Sequence, residues 1–205
     1  MIENIQHHQE SLPDRWQVLI VDDDPNGHVM PQRALNELTF RRRKVEVIDA
    51  FSTGEALKKL EENADIAVAV VDIILQTEDE GLRLVRTIRE EMGNRLIRII
   101  LRSGEERKFP ESRLIIDYDI NGYTGRSEDS AKQFLISIIT AFRSYEHLRT
   151  IYSLNKSLEE KVKDRTQALS DANLKLRSYI SRLENDQEAG GKMQKKLLPD
   201  TLKTY

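Results

Sequence analysis

Two apolar segments of the chain, residues 18–21 and 66–71, each end in carboxylates. The acids are Asp22, Asp23 and Asp24 after the first segment and Asp72 after the second. Because the C-terminal ends of parallel strands share one edge of a sheet, these acids can meet although about fifty residues separate them. Carboxylate oxygens are the hard ligands that Mg²⁺ prefers, and Mg²⁺ usually keeps water and phosphate in its shell. The pattern predicts a shared Mg²⁺ site. The alternative is that the first acids cap a helix and Asp72 is a turn residue.

The fourth and fifth predicted strands also end near polar groups. Ser103 closes residues 99–103, and Arg126 closes residues 122–126, so a hydroxyl and a fixed cation are predicted at the same sheet edge. Phosphoryl transfer to an aspartate needs an attacking carboxylate, a metal and a cation that neutralise the phosphoryl oxygens, and a hydroxyl that donates a hydrogen bond. Singly, Ser103 is typical of a turn and Arg126 of a solvated surface. Their joint placement with Asp72 predicts a phosphoaspartate site.

Short apolar segments alternate with helical patterns between residues 16 and 145. The predicted strands are 17–21, 45–48, 66–71, 96–101 and 121–123. The predicted helices are 28–39, 54–62 with Ser52 or Thr53 as its cap, 81–91, a short one at 110–116 and a long one from Ser127. Residues 114–116 could instead form a strand. The alternation predicts an α/β fold with a five-stranded parallel sheet and right-handed crossovers.

The composition of the chain argues against several classes of function. The 205 residues carry a formal net charge of −3 and no cysteine. The charge gives no basis for binding nucleic acid, and the missing cysteines exclude disulfides and thiolate chemistry. Residues 1–14 form a polar tail without the apolar core of a signal peptide, and no segment is apolar enough to span a bilayer. We therefore expect a cytoplasmic protein that binds neither nucleic acid nor membrane.

From residue 145 to residue 188 the chain shows a heptad repeat. A seam this narrow indicates a coiled coil, because a helix lying on a globular core has a wider apolar stripe. The polar Asn155 at an a position favours a parallel two-stranded homodimer, although a frayed polar gap is the alternative, and Arg165 at a d position makes the seam imperfect. The predicted seam residues are Leu148, Ile151, Asn155, Leu158, Val162, Leu169, Leu176, Tyr179 and Leu183.

Four motifs together resemble the receiver domain of two-component response regulators, a flavodoxin-like fold. They are residues 18–24 (VLIVDDD), 70–72 (VVD), 99–104 (IILRSG) and 122–126 (GYTGR). The resemblance covers about residues 15–144. It implies that Asp72 is the phosphoacceptor, with a sensor histidine kinase or phosphotransfer protein as donor. The residues it implies for Mg²⁺ are Asp22, Asp23, Asp72 and the backbone of Ile74; those for the switch and the phosphate are Ser103, Tyr123 and Arg126.

The sequence departs from the receiver pattern at two places. The lysine of the last strand is here Arg126, and the proline that usually follows it is Ser127. Arginine keeps the charge but presents a wider planar group, so the fit to a phosphoryl group changes. The loop after Asp72, residues 73–81, lacks the usual proline and is one residue longer. These departures bear on the kinetics of phosphorylation more than on the fold.

The end of the chain shows a second resemblance. Residues 188–199 (EAGGKMQKKLLP) are similar to the entry segment of the sporulation-type family of metal-dependent serine/threonine phosphatases. The alternative is an amphipathic basic tail. We therefore expect residues 189–205 to begin an output domain whose catalytic part is absent, so that this chain is a phosphoacceptor and not an enzyme.

These features predict the regulatory portion of a response regulator, which signals through a dimeric coiled coil to an output module, most plausibly a serine/threonine phosphatase. One alternative is a scaffold whose receiver takes no phosphate and recruits a partner constitutively. Another is the regulatory front end of a cyclase or kinase, because similar coiled coils precede several outputs.

Overall fold

The computed structural model describes residues 14–77, 79–104, 118–125 and 131–197. The chain divides into two compact units, Met1–Tyr152 and Ser153–Tyr205. The first unit contains the sheet and its helices, and the described part of the second is helical. Among the described residues, the helices lack the combination of length and apolarity that a membrane crossing requires.

The first unit is built on a six-stranded sheet with the order β2-β3-β1-β4-β5-β6. The strands are β1 (Arg15–Val21), β2 (Thr39–Phe40), β3 (Arg43–Ala50), β4 (Ile66–Asp72), β5 (Arg98–Ser103) and β6 (Gly122–Gly125). All neighbouring strands are parallel except β2 and β3, which are antiparallel. The five predicted strands are present, so the expected α/β fold is confirmed.

The prediction of a purely parallel five-stranded sheet is wrong, because β2 adds an antiparallel edge. The two residues between β2 and β3, Arg41 and Arg42, have φ values of 50° and 64°. A two-residue hairpin turn of this kind usually carries Asn-Gly, whose residues tolerate positive φ. Two arginines give no such signal. The hairpin is instead stabilised by a residue of the neighbouring strand β1, because Trp16 Nε1 donates to the Phe40 carbonyl at 3.0 Å.

Four α-helices accompany the sheet in the described part of the chain. They are α1 (Pro25–Asn36), α2 (Thr53–Glu62), α3 (Glu80–Arg86) and α4 (Ala131–Leu197), and a π-helical segment, Thr87–Glu91, follows α3. Helix α2 is capped by Ser52, whose hydroxyl accepts from the Glu55 amide. Helix α1 begins three residues before the predicted start at His28, because Asp24 caps it and Pro25 takes its first position. The predicted helix at 110–116 and the predicted start at Ser127 lie outside the described residues.

Alternate residues of each central strand face opposite sides of the sheet, and both sides are apolar. One side packs against α2 and α3 through residues such as Leu60, Leu84 and Val85. The other packs against α1 and the start of α4, which contributes Phe134 and Phe142. A parallel sheet covered on both faces explains why residues 66–71 are uniformly apolar. It also leaves only the strand ends available for polar chemistry.

Helix α4 is fastened to the sheet by charged and aromatic contacts. Glu146, which is 8% exposed, accepts hydrogen bonds from Arg41 and, at 3.0 Å, from Arg43. Burial lowers the pKa of Arg43, and Glu146 opposes that shift. The Arg43 guanidinium lies 3.7 Å from the centre of the Trp16 ring, and Trp16 stacks on Phe142 at 4.4 Å. We call Arg41, Arg43, Glu146 and these rings the α4 clasp.

Candidate functional site

Three predicted acids lie together at the C-terminal edge of the sheet. Asp22 directly follows β1 and Asp72 ends β4, the neighbouring strand. Carboxylate oxygens of Asp22, Asp23 and Asp72 lie within 4.8 Å of one another. Asp22 is 1% exposed and Asp72 is 3% exposed, whereas Asp23 is exposed to solvent. We call these three residues the acid site.

Asp24 belongs to the adjacent helix and not to the acid site. Its side chain accepts a hydrogen bond from the Asn26 amide at 3.0 Å and so caps α1. Its own amide donates to Asp22 Oδ1 at 3.1 Å, which orients the Asp22 carboxylate. The interpretation of the first acids as helix caps is therefore right for Asp24 alone.

Two glycines allow the backbone to approach the acids closely. A Cβ atom at Gly27, in the first turn of α1, would lie 1.9 Å from Asp22 Oδ2. A Cβ atom at Gly81, in the first turn of α3, would lie 1.9 Å from the Asp72 carbonyl oxygen. Gly81 also donates its amide to the Ile73 carbonyl at 3.2 Å. Both helices can therefore begin directly against the acid site only because these positions lack side chains.

A buried histidine holds the end of β1 in place. The His28 ring places Nδ1 2.6 Å from Asp49 Oδ1 and Nε2 2.8 Å from the Asp22 carbonyl oxygen. Gln32 donates to the other Asp49 oxygen at 2.8 Å. These contacts join α1 to the ends of β1 and β3. Sequence reasoning missed His28, because nothing in the local pattern connects it with Asp49.

The remaining predicted site residues occupy the neighbouring strands and loop. Ser103 ends β5, is 7% exposed and pairs with Gly125 of β6. Tyr123 lies in β6 and packs, partly buried, against the core cluster on the α2 and α3 side. Ile74 is partly buried in the loop after β4. Arg126 lies outside the described residues, so its predicted role stays a prediction.

A further cation, Arg102, was overlooked in the sequence. Arg102 is the penultimate residue of β5, is 3% exposed and pairs in register with Asp72. Its Nη1 donates to the Gly27 carbonyl at 2.7 Å. The available signal was a charged residue directly after the apolar residues 99–101 of the strand, and a buried charge is uncommon unless it has a partner.

The chemistry of the acid site fits a hard divalent cation. Its three carboxylates offer oxygen ligands, and the exposure of Asp23 leaves room for water in the coordination shell. Carboxylates this close repel one another strongly where the effective dielectric constant is low. A cation shared between them relieves that repulsion. Asp22, Asp23 and Asp72 are therefore suitable Mg²⁺ ligands.

The chain resembles a known protein in sequence over part of that protein's length. No family model matches the chain. Over 144 residues the chain is 39% identical to the 3'3'-cGAMP-specific phosphodiesterase 2 of Vibrio cholerae serotype O1. That match covers 70% of this chain and 27% of the relative. The chain therefore spans about a quarter of that protein's length.

Solved structures show the same fold. The signal receiver domain of an HD domain-containing protein from Pseudomonas fluorescens Pf-5 superposes with a TM-score of 0.57 at 18% identity, covering 68% of this chain and 96% of that one. A CheY-like response regulator receiver domain protein from Methanospirillum hungatei JF-1 gives 0.51 at 22% identity, covering 65% of this chain and 98% of that one. The chain has the receiver fold, as the sequence motifs predicted.

Proposed function

We propose that this chain is the receiver portion of a two-component response regulator and accepts a phosphoryl group on Asp72. The observation that carries the proposal is the acid site, in which three carboxylates lie within 4.8 Å at the C-terminal edge of a receiver sheet. Asp72 is the candidate acceptor because it ends the central strand β4, between Asp22 on one side and β5 on the other. Asp22 and Asp23 then serve the metal.

The proposed reaction transfers phosphorus from nitrogen to oxygen. A carboxylate oxygen of Asp72 attacks the phosphorus of a phosphohistidine in line, the P–N bond breaks as the P–O bond forms, and the released imidazole nitrogen keeps the electron pair. The donor is a sensor histidine kinase or a phosphotransfer protein. Asp22, Asp23, Asp72 and the Ile74 carbonyl would hold Mg²⁺, which when bound neutralises charge on the phosphoryl oxygens.

Three further residues complete the proposed site. The Ser103 hydroxyl donates a hydrogen bond to the phosphoryl group, and Arg126 neutralises part of its charge. Tyr123, two strands from Asp72, changes side-chain position when Ser103 moves. Ser103 and Tyr123 lie on the neighbouring strands β5 and β6, so a shift of one backbone can reach the other through the shared ladder. The two arrangements constitute the switch, and phosphorylation favours one of them.

We propose that the signal leaves through a homodimeric coiled coil formed by residues 145–188. Within one chain the apolar side chains of this segment lie in water: Leu158 is 60% exposed, Leu169 65% and Leu183 64%. Their heptad spacing matches a second copy of the same helix. Burying each against its mate contributes on the order of 1–2 kcal/mol. Several such layers are enough to offset the entropy lost on association.

The output module has two candidates. Residues 188–199 resemble a phosphatase entry segment, which favours regulation of a serine/threonine phosphatase. The 39% identity to a protein named as a 3'3'-cGAMP-specific phosphodiesterase favours regulation of cyclic dinucleotide hydrolysis instead. We place the phosphatase first, because that segment lies in this chain.

Intact-mass analysis tests the phosphoacceptor directly. With Mg²⁺ and a small-molecule phosphodonor, the chain should gain one phosphoryl group, and Asp72→Asn should abolish the gain. Asp24→Asn is the matched control, because asparagine caps a helix as well as aspartate does and Asp24 lies outside the acid site. Labelling that persists in Asp72→Asn would contradict the assignment. An unlabelled parent chain would favour the scaffold alternative.

A further inference from the structure

A pocket of about 410 Å³ opens at the N-terminal edge of the sheet, where α3 and its π-helical extension end. Strand β5 runs from this edge to the edge that carries the acid site, so roughly 16 Å separates the two at about 3.3 Å per residue. Pockets of roughly 300–1,000 Å³ hold small organic ligands in proteins. The described residues that line this pocket are Arg86, Arg89, Glu90, Arg95, Tyr118 and Asp119. The pocket is therefore distinct from the acid site and large enough for a small organic molecule.

The lining of the pocket is positively charged, because three of its described residues are arginines and two are acids. Arg89 is 9% exposed, pairs with the Asp119 carboxylate at 3.3 Å and donates to two main-chain carbonyls. Burial, together with repulsion from Arg98 and Arg95, lowers the pKa of Arg89 to about 10, although Asp119 raises it. An arginine with this pKa remains charged at neutral pH. An anion that enters the pocket therefore meets a fixed positive charge.

Two exposed arginines of the lining can contact a ligand directly. Arg86 donates from Nη2 to the Tyr118 hydroxyl at 3.3 Å, and its guanidinium lies 5.0 Å from the centre of the Tyr118 ring. Tyr118 thereby restricts a long side chain before a ligand arrives, which reduces the entropy lost on binding. Arg95 is exposed and precedes β5. Guanidinium groups match the oxygens of a phosphate group in both geometry and charge.

The backbone beside the pocket is unusual at two places. Arg89 and Glu90 lie in the π-helical segment Thr87–Glu91, and segments of this kind are rare and frequent at functional sites. Asp119 has a φ of 49°, a left-handed conformation that is uncommon for residues other than glycine. Arg89 joins the two, since its Nε and Nη2 donate to the Asp119 carbonyl at 3.2 and 3.1 Å. Both departures from regular geometry therefore meet at the pocket, and such departures cluster at ligand sites.

We propose that this pocket, which we call the arginine pocket, binds a small phosphate-bearing molecule. Arg86 and Arg95 contact the phosphate oxygens, and the charge of Arg89 adds to the attraction. Glu90 accepts hydrogen bonds from the hydroxyl groups of an organic phosphate, whereas it only repels free inorganic phosphate. The arginine pocket therefore favours a phosphate monoester over free phosphate. This binding does not depend on phosphoryl transfer to Asp72.

Phosphorus NMR of the ligand measures binding to the full chain at low ionic strength in the presence of a chelator. Without a divalent cation the carboxylates of the acid site repel phosphate, so that site does not contribute. The probes are AMP, glucose 6-phosphate and inorganic phosphate. At least one of the two monoesters should bind about threefold or more tightly than inorganic phosphate.

Four single substitutions locate the binding. Arg86→Gln and Arg95→Gln should each weaken it at least about tenfold, because each removes charge-assisted hydrogen bonds to the phosphate. Glu90→Gln should tighten the binding of inorganic phosphate about threefold, since a nearby negative charge costs about that factor in water. Arg33→Gln is the matched control, because it removes an equal charge from an exposed position of α1, on the opposite face of the sheet, and should stay within about twofold of the parent. All four positions are exposed, so the melting temperatures should stay within about 2 °C of the parent value.

The proposal is overturned if none of the three probes binds with a dissociation constant below about 10 mM, or if both Arg86→Gln and Arg95→Gln bind as tightly as the parent chain. An equal loss in Arg33→Gln would reduce the effect to net charge and would overturn it as well. Inorganic phosphate that binds as tightly as both monoesters would overturn the preference for a monoester and identify the ligand as the free anion. Phosphate uptake by Asp72 is a separate measurement, so the arginine pocket and the proposed function can fail independently.

Discussion

Gly27→Ala should damage the acid site although it adds a single methyl group and favours helix. Alanine in a helix is more stable than glycine by about 1 kcal/mol, so the backbone of α1 alone predicts stabilisation. The new Cβ, however, would lie 1.9 Å from Asp22 Oδ2 and 2.2 Å from its Cγ. Overpacking of this kind costs roughly 1–3 kcal/mol, because either α1 or the carboxylate must move. We expect net destabilisation of up to about 2 kcal/mol.

Gly54→Ala provides the matched comparison. Gly54 also lies in the first turn of a helix, α2, but a Cβ atom there would meet nothing within 4 Å. Relief of backbone entropy should therefore stabilise this variant by up to about 1 kcal/mol. At roughly 3 °C per kcal/mol for a domain of this size, the two variants should differ in melting temperature by up to about 9 °C. Thermal unfolding in a chelator measures the difference.

Metal binding separates damage to the site from general instability. The displaced Asp22 carboxylate should weaken Mg²⁺ binding by Gly27→Ala at least about tenfold, since Mg²⁺ demands near-ideal octahedral geometry. Gly54→Ala should bind Mg²⁺ as the parent chain does. If Gly27→Ala melts at or above the parent temperature and keeps its Mg²⁺ affinity, then α1 does not constrain Asp22 and the reasoning about the close approach is refuted.

Three other changes have defined outcomes. Glu146→Ala leaves Arg43 buried without its carboxylate and should lower the free energy of unfolding, measured in urea, by about 2 kcal/mol. The control Glu62→Ala removes an exposed pair with Lys58 and should change that free energy by no more than about 0.5 kcal/mol. Equal losses in the two variants would show that the α4 clasp does not stabilise the fold. Leu169→Asp should yield monomers that still take phosphate. The dimer proposal would be contradicted if light scattering found the parent chain monomeric at tens of micromolar. The pure chain should turn over neither a phosphoserine peptide nor 3'3'-cGAMP. Metal-dependent hydrolysis of either would contradict the proposal that this chain accepts phosphate while a separate output module is catalytic.

The central strands and the acids could be predicted because each depends on a local signal. Residues 66–71 form an uninterrupted apolar segment, which a strand buried on both faces requires, and Asp72 ends it. Strand ends in a parallel sheet share an edge whatever the intervening loops do. That Asp72 and Asp22 share an edge therefore follows from the fold class, whereas their closeness also depends on β1 and β4 being neighbours. Ser103 at the end of β5 follows in the same way.

The missed features depend on contacts between distant elements. The hairpin at Arg41 and Arg42 has no turn signal and is held by Trp16 and Glu146. The second half of the predicted helix 81–91 is π-helical, and there Arg89 donates to the carbonyls of Asn94 and Asp119. Burial lowers the pKa of Arg89 to about 10. The position of a buried arginine of this kind is determined by its tertiary partners, and the hydrophobic periodicity of the sequence does not reveal those partners.

The α4 clasp and the acid site lie at opposite edges of the same sheet, and this constrains how a signal can pass. Arg43 begins β3 and Asp22 follows β1, so the length of a seven-residue strand, about 20 Å, separates them. Between these edges α4 buries Phe134, Ile138 and Phe142 on the sheet face. A helix packed along the face and fastened at its far end resists sliding, because sliding would break the pair of Glu146 with Arg43. A change at the acid site is therefore expected to tilt or rotate this part of α4 about the clasp. Such a motion changes how the apolar residues of α4 pack against the sheet face, while the clasp remains intact.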